Sequence, residues 1–561
     1  MQFVDQLGLL TSVLSWLLIF TGDVCRPVCF INFVQVPRRQ ETSMENKINR
    51  GTLLVASFLT LVAAGAGFAT RGAAGPAWAK MGIGPSDFGT IMGYGFLGFG
   101  FVIFIGGILV EMFGYKKLLL LSVLMHIVSA VLLFAAPSFY DGWVADVGPE
   151  KATANVIGLL QISVLLFSVC SGLYEAVINP LVGQLYPENQ AHYLNVLHAG
   201  WPGGIIIGGL VAAGFQNETA WIQEIPWHYA LSAYSLILIA LTFMVIGQPF
   251  PKTVSASGNS SFGVLFSCFL SLPFLVLLLL HALIGYMELG VDSWMTRLME
   301  NLVDNSVTVL IYTSLLMFVL RFFAGPIVHR INPIGLLLAS SVLAVLGLLW
   351  LGTEITSVAV IFAAATLYSF GKAFLWPTML AVAGERYPQS GAVAMSALGA
   401  AGMITVGFVA GQMIGAQQSE SMNAALEADA PATYERYSDG AQSEFLGYTS
   451  RELNPGLQQA AMDKKLDDAL AVIDAREGVS EEEKATEKEV LQAEFESDST
   501  AVVSAFNAGG RKALTLTARI PFAMGIGFLI LAIYYKSIGG YKVLRLDESG
   551  NVVTDAAAET A

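Results

Sequence analysis

The sequence predicts an all-α membrane protein of twelve transmembrane helices, arranged as two six-helix pseudo-symmetric sets. Three observations carry that prediction. Of 561 residues 55% are apolar and only 13% are charged, with a mean hydropathy of +0.63, whereas soluble domains carry about 25% charged residues. Twelve apolar stretches approach the roughly 20 residues that a bilayer crossing needs. The punctuation of the first six stretches recurs in the last six, as in transporters built from internal repeats.

The spans fall near 51–76, 88–110, 117–137, 155–182, 193–215 and 229–249, then near 262–287, 303–325, 333–352, 356–383, 391–415 and 513–536. Turn-forming residues separate them, for example Gly84-Pro85-Ser86-Asp87 and Tyr387-Pro388-Gln389-Ser390. In the fourth and fifth spans Asn179-Pro180 is followed by Tyr186-Pro187 and Gly204-x-x-x-Gly208. In the tenth and eleventh Trp376-Pro377 is followed by Tyr387-Pro388 and Gly407-x-x-x-Gly411. Both glycine pairs read as close helix packing. Gly107-Ile-Leu-Val before Lys116-Lys117 is echoed by Gly325-Pro-Ile-Val before Arg330.

Arg38, Arg39, Lys47, Arg50, Lys116, Lys117, Lys252, Arg330, Arg386, Lys536, Lys542 and Arg545 fall on one side of the span pattern, which also holds both ends of the chain. The positive-inside bias makes that side cytoplasmic, in a multi-pass protein of the inner or plasma membrane. The domain reading is an N-terminal segment 1–50, a six-helix set 51–250, a short loop 251–261 and helices seven to eleven over 262–415. An acidic extracytoplasmic insert 416–512, helix twelve over 513–540 and a tail 541–561 follow. Residues 7–20 are apolar but short for a span, and Met44 abutting the first span reads as a natural start, so 1–43 are expected to be absent from the working protein.

Charge excludes several classes. Residues 416–510 hold 20 of the 43 acidic residues but 7 of the 29 basic ones, a balance of −13 that leaves −1 for the rest. No basic patch serves a nucleic acid. Within the insert, 457–497 is rich in helix formers of mixed charge and reads as solvated helix. Cys25, Cys29, Cys170 and Cys268 are too scattered for a disulfide framework or zinc site, so neither metal nor cofactor is expected. No phosphate-cradling glycine loop or Gly-x-Ser-x-Gly elbow is present, so neither ATP drive nor enzyme activity is expected.

Ionisable residues inside spans face a cavity or a partner. Glu175 and Asn179, four apart, share one helix face. They read either as a cavity carboxylate with its amide or as a structural pair with Arg71 or Lys372. His281, Gly285, Glu288 and Asp292 line one stripe of the seventh span; Glu288 lies deep, His281 reads as packing, and Asp292 with Arg297 reads as an exposed loop pair. Tyr368, Lys372 and Trp376 share a stripe of the tenth. Lys372 needs an anion, with Glu175 or Glu288 across the two sets as the natural partner. Arg71 poses the same question in the first span, and Asn195 with His198 offers polar lining in the fifth.

Residues 51–415 and 513–540 resemble the major facilitator superfamily. Gly107-Ile-Leu-Val-Glu111-Met112-Phe-Gly114-Tyr-Lys116-Lys117 is similar to its loop signature, with Glu111 for the usual Asp and Met112 for the usual Arg. Glu175-x-x-x-Asn179-Pro180 followed by Leu194-Asn195-x-x-His198 resembles the fucose-permease type of sugar:proton symporter. That resemblance implies a helix-4 glutamate that binds sugar and couples protons. Its Asn/Asp pair in helix 1 is represented here by Ala69-Thr70-Arg71-Gly72.

The expected function is secondary active transport of a small polar solute, a monosaccharide foremost, coupled to H⁺ by Glu175 or Glu288. Arg71, Asn179, Asn195, His198, Lys372 and Trp376 are the substrate-binding candidates. The partners are then a small molecule, H⁺ and the lipid bilayer. The alternatives are an organic-anion or nucleoside porter, favoured if Arg71 and Lys372 are unpaired, and a transporter-like sensor that docks a partner on its insert.

Overall fold

The computed structural model describes residues 48–72, 74–216, 226–257, 261–303, 305–463, 480–547 and 551–554, with isolated positions 466, 470 and 473. The expectation about residues 1–43 lies outside them, as does most of 464–479. Nine helices among the described residues are long and apolar enough to cross a membrane. Three shorter apolar helices, Gly98–Phe113, Ser235–Ile246 and Val307–Arg321, stand where the second, sixth and eighth spans are expected.

The first four helices are α1 (Arg50–Gly72), α2 (Pro85–Phe113), α3 (Tyr115–Val147) and α4 (Pro149–Leu185). Gly114 (φ +83°) and Gly148 (φ +84°) make the sharp turns between the last three. The expected fifth span is broken into α5 (Gln190–His198) and α6 (Gly200–Gln216), and α7 (Ser235–Ile246) follows. Gly204 and Gly208 let α6 approach the backbone of α1: a Cβ on Gly208 would lie 2.6 Å from the Ala66 carbonyl, and one on Gly204 2.8 Å from the Ala66 nitrogen. Gly411 is looser, 3.5 Å from Trp294 by the same measure.

The seventh span begins and ends about ten residues later than expected. It begins as α8 (Leu272–Gly285), widens into a π-helical turn at Tyr286–Gly290 and continues as α9 (Val291–Leu298). Then come α10 (Val307–Arg321) and α11 (Ala324–Leu351), kinked where Asn332 (φ 54°) precedes Pro333. The tenth span is split into α12 (Val358–Lys372) and α13 (Leu375–Arg386). The eleventh comprises α14 (Gly391–Thr405), a second π turn at Val406–Ala410, and α15 (Gly411–Asp429).

Residues 416–512 are not a separate loop-tethered insert. Helix α15 runs unbroken past residue 415, and α17 (Glu481–Thr517) runs past 512 to meet α18 (Arg519–Ser537) at Ala518. Between them lie a short helix Pro431–Tyr437, an antiparallel hairpin of β1 (Ser438–Phe445) and β2 (Tyr448–Leu453), and α16 (Pro455–Asp463). Met422, Leu426, Tyr437, Leu453, Val502 and Phe506 form its own apolar core. Its base is clamped to α9: Arg297 lies over the rings of Trp294 and Phe506, and Gly415 abuts Trp294. The expected solvated helix is found where Ser480 and Glu483 close a capping box at the start of α17.

Early and late helices meet along their whole length. Near the end that holds the C-terminal tail, Glu111 accepts the backbone N–H groups of Ser255 and Ala392, each at 2.9 Å. The second of these is at the start of α14, where a helix offers unpaired N–H groups and positive potential to an anion. Farther along, Gly107 abuts Ser396, Gly100 abuts Ile404, and Phe101 meets Phe408 edge-on at 6.3 Å. On the other flank Gly203 packs on Phe318 and Gly209 on Ile311. The space left at the centre is about 30 Å³, room for about one water molecule.

Candidate functional site

The central cavity is lined by Phe99, Glu175, His198, Trp201, Glu288 and Arg321, with Leu289, Trp376 and Met403. Four expected site residues meet there. Glu175 and Asn179 lie on one face of α4: the amide Nδ2 donates to Glu175 Oε2 at 2.7 Å. The Asn179 Oδ1 is thus the acceptor for His198 Nε2 at 2.9 Å, which makes that nitrogen a donor. His198 Nε2 stands 3.9 Å from Glu175. Asn195, one turn earlier, does not line the cavity; it donates to Ala191 O and, across to α13, to Thr378 Oγ1 at 3.0 Å.

Glu288 sits on the π turn, a local widening that re-aims side chains and recurs at functional sites. One carboxylate oxygen takes the Arg321 Nη2 at 2.7 Å, and the other takes the Trp376 backbone N–H at 3.3 Å. That N–H lies in the first turn of α13, so Glu288 is held by both a guanidinium and a helix start. Arg321 was not among the expected site residues. It lies near the end of an apolar span, where arginines commonly reach the interface, yet it is only 2% exposed.

Lys372 is fully buried. Its partner is neither Glu175 nor Glu288, as the sequence led us to expect, but Asp292. The reason is where the seventh span ends. The π turn carries the helix on into α9, which brings Asp292 inside, 9% exposed, and leaves Arg297 on aromatic rings rather than on Asp292. Lys372 also faces Thr313 Oγ1 at 3.4 Å and the Tyr368 ring, its centroid 5.1 Å away. Lys372 is not in contact with the cavity.

Trp376 is a cavity wall, with the His281 ring 4.5 Å behind it. Neither nitrogen of His281 has a hydrogen-bond partner among the described residues, nor has Trp201 Nε1 or Asn195 Oδ1. Buried polar atoms are almost always paired, and of these four Trp201 Nε1 belongs to a cavity-lining residue, so its N–H is placed to donate to a polar ligand group.

Arg71 stands apart. It points among α1, α3, α4 and the start of α7, donating to Gly67 O (3.0 Å), Ser129 Oγ (2.9 Å) and Tyr234 Oη (2.8 Å). The Phe167 ring covers it at 4.1 Å, a cation–π contact. No carboxylate pairs with it among the described residues, and it does not reach the cavity.

Comparison with known proteins agrees with this architecture. A family model described as Major Facilitator Superfamily matches residues 54–412. A variant of the E. coli fucose:proton symporter FucP is similar in structure with a TM-score of 0.50 at 16% identity, covering 64% of this chain and 90% of that one. The proton:xylose symporter XylE, bound to 6-bromo-6-deoxy-D-glucose, gives 0.54 at 14% identity, covering 64% and 87%. A bacterial homolog of the human lysosomal transporter Spinster, inward-facing and unoccupied, gives 0.53 at 14% identity, covering 86% and 96%. No curated protein matches the chain. The family match extends over well more than half of the sequence, and the chain belongs to the Major Facilitator Superfamily.

Proposed function

We propose that the protein is a secondary active transporter that carries a small, polar, uncharged solute, foremost a monosaccharide, with H⁺ as coupling ion and Glu175 as the group that bears it. In this reading the chain crosses the membrane twelve times, six times before the loop 251–261 and six times after it, with both termini cytoplasmic. The two sets rock about the central cavity, opening one end before the other. The small cavity between packed early and late helices fits the occluded point of such a cycle.

One observation carries the proposal. Glu175 is the cavity carboxylate without a lysine or arginine ion pair among the described residues, whereas Glu288 is bound to Arg321. A buried carboxylate held only by an amide and an imidazole can take up a new partner without first breaking an ion pair with a guanidinium. A sugar hydroxyl can donate to its ionised form or accept from its protonated form, so one side chain can link the binding of both cargoes. Trp201 and Trp376 supply aromatic walls, and the Trp201 N–H can donate to a further hydroxyl. Charge favours a neutral solute over an organic anion. The one cationic side chain of the cavity, Arg321, is matched by Glu288, Lys372 is matched by Asp292 outside it, and Arg71 is turned away.

Proteoliposome uptake over sugars, sugar acids and nucleosides, with and without a pH gradient, tests the reading. A sugar should accumulate only when the gradient is present. Glu175→Gln preserves shape and fixes the neutral state, so the variant should retain counterflow exchange and lose uphill accumulation. If the Gln variant still concentrates substrate, Glu175 is not the coupling site.

A further inference from the structure

Two prolines interrupt the helices that flank the cavity, and each frees a carbonyl. Pro202 in α6 has no N–H to return to His198 O four residues back; Pro377 in α13 has none for Ala373 O. The helices break at those points, α5 ending at His198 and α12 at Lys372. Once the cavity has closed and expelled water, such a carbonyl must find another donor.

Both carbonyls find the same one. Arg321 Nη1 donates to His198 O at 2.6 Å, and Arg321 Nε donates to Ala373 O at 2.7 Å. With Nη2 on Glu288, one planar guanidinium joins the fifth, seventh and tenth spans from its own place at the end of α10. A lysine in this position has a point charge and no such fork. The bond to His198 O links α10 to α5, a helix before residue 250, so separation of early and late helices has to break it.

We infer that Arg321 is a positioning residue that holds the occluded state, acting as a dry substitute for the water that solvates the proline-freed carbonyls when the cavity is open. In the open state water satisfies His198 O, and Arg321 keeps Glu288 and Ala373 O. On closure the water leaves and the guanidinium replaces it. Without Arg321 the closed state carries an orphan carbonyl, which shifts the closed-to-open population by about 5–150-fold toward open. The inference rests on the alternating-access reading above, but not on which solute is carried.

The test reads accessibility of the cavity rather than uptake. Met403 lines the cavity and is exchanged for cysteine in a full-length chain whose four native cysteines are replaced by serine. Labelling with N-ethylmaleimide is then timed in native membranes. Arg321→Lys should label about 5–150-fold faster than the parent. Adding Pro202→Ala to Arg321→Lys should bring the rate back toward the parent, because an alanine in place of Pro202 restores the helical N–H to His198 O. That rescue is specific to the carbonyl: a variant damaged only through loss of the Glu288 ion pair gains nothing at position 202. Should Arg321→Lys fail to fold, Arg321→Met with Glu288→Gln leaves no unpaired charge and gives the same readout. Parental labelling in the Arg321 variants, or no rescue by Pro202→Ala, overturns the inference. Uptake failure with the labelling pattern intact would count against the sugar reading alone.

Discussion

The Lys372–Asp292 pair offers the sharpest test of the buried electrostatics. Lys372→Met keeps much of the side chain's length and removes its charge. Asp292, 9% exposed, is then left in the protein interior without its cation, and Thr313 is too distant from Lys372 Nζ, at 3.4 Å, to have been a strong second partner. Breaking a buried pair from one side costs about 3–5 kcal/mol, because the remaining charge stays desolvated. Asp292→Asn alone strands the ammonium and should cost a similar amount. The double variant strands nothing, and removal of a whole buried pair is often close to neutral. Its loss should therefore lie about 1–2 kcal/mol from wild type, giving a coupling energy of at least about 4 kcal/mol. Unfolding of the detergent-solubilised protein, followed by tryptophan fluorescence against denaturant, supplies the four free energies. Simple additivity of the two single losses would falsify the pairing. A cycle of Lys372→Met with Glu175→Gln should show no such coupling, since Glu175 is not its partner.

Other consequences follow from named contacts. Glu111→Ala removes the acceptor for two backbone N–H groups, Ser255 and Ala392, and should destabilise the contact between α2 and α14 by about 1–3 kcal/mol, read as faster cysteine labelling at Ser396 beside Gly107. Gly208→Val places bulk against the Ala66 carbonyl and should lower the unfolding midpoint or abolish expression, whereas Gly440→Ala, with no atom within 4 Å but φ +77°, should cost at most about 1–2 kcal/mol. Replacing 416–510 by a Gly/Ser linker removes Phe506, one of the two rings that hold Arg297, and should destabilise the seventh span. Trimming only the segment between α15 and α17 should be tolerated better, by the same unfolding measurement. In the insert, hydrogen bonds from Arg451 hold the Glu420 carboxyl below its usual range. A carboxyl so lowered adds stability above its unfolded value, about 4.3, and loses it as pH falls through the folded one. Protease cleavage at the β1–β2 hairpin should thus increase only in strong acid, and Arg451→Ala should remove that pH dependence.

The helical layout was legible because apolar length and turn residues are local signals. Nine apolar helices among the described residues meet the length for a crossing, and three shorter ones stand where the second, sixth and eighth stretches are expected. The Glu175–Asn179 contact was legible for a related reason, since i, i+4 spacing fixes which residues share a helix face. The misjudged positions all depended on where a helix ends or breaks. Asp292 was read as a loop residue because the π turn that extends its helix has no apolar signature. The insert was bounded by composition, but α15 and α17 change from apolar to charged without leaving the helix. Arg71 carries the same intramembrane cost as any buried cation, and nothing in one sequence distinguishes an arginine that faces a cavity from one that faces phenolic and hydroxyl groups.

Arg321 shows what kind of signal was left unused. A lone arginine in an apolar span demands acceptors, and carboxylates are not the only ones that spans offer. Two of its three partners are backbone carbonyls, and these are announced in the sequence by Pro202 and Pro377, each pointing four residues back. Counting proline-freed carbonyls alongside acids gives the buried cations enough acceptors: Glu288 and two carbonyls for Arg321, Asp292 for Lys372, and neutral oxygens with an aromatic face for Arg71. Glu175 is then the charge-bearing group of the cavity that the inventory leaves without a cation. Its distinction comes from this process of pairing rather than from its family position, which is why neutralising Glu175 and neutralising Glu288 should have different consequences. Glu288→Gln should free Arg321 and disturb closure, while Glu175→Gln should leave closure intact and remove the response to pH. If both variants give the same transport and labelling defects, the division of roles between the two carboxylates fails.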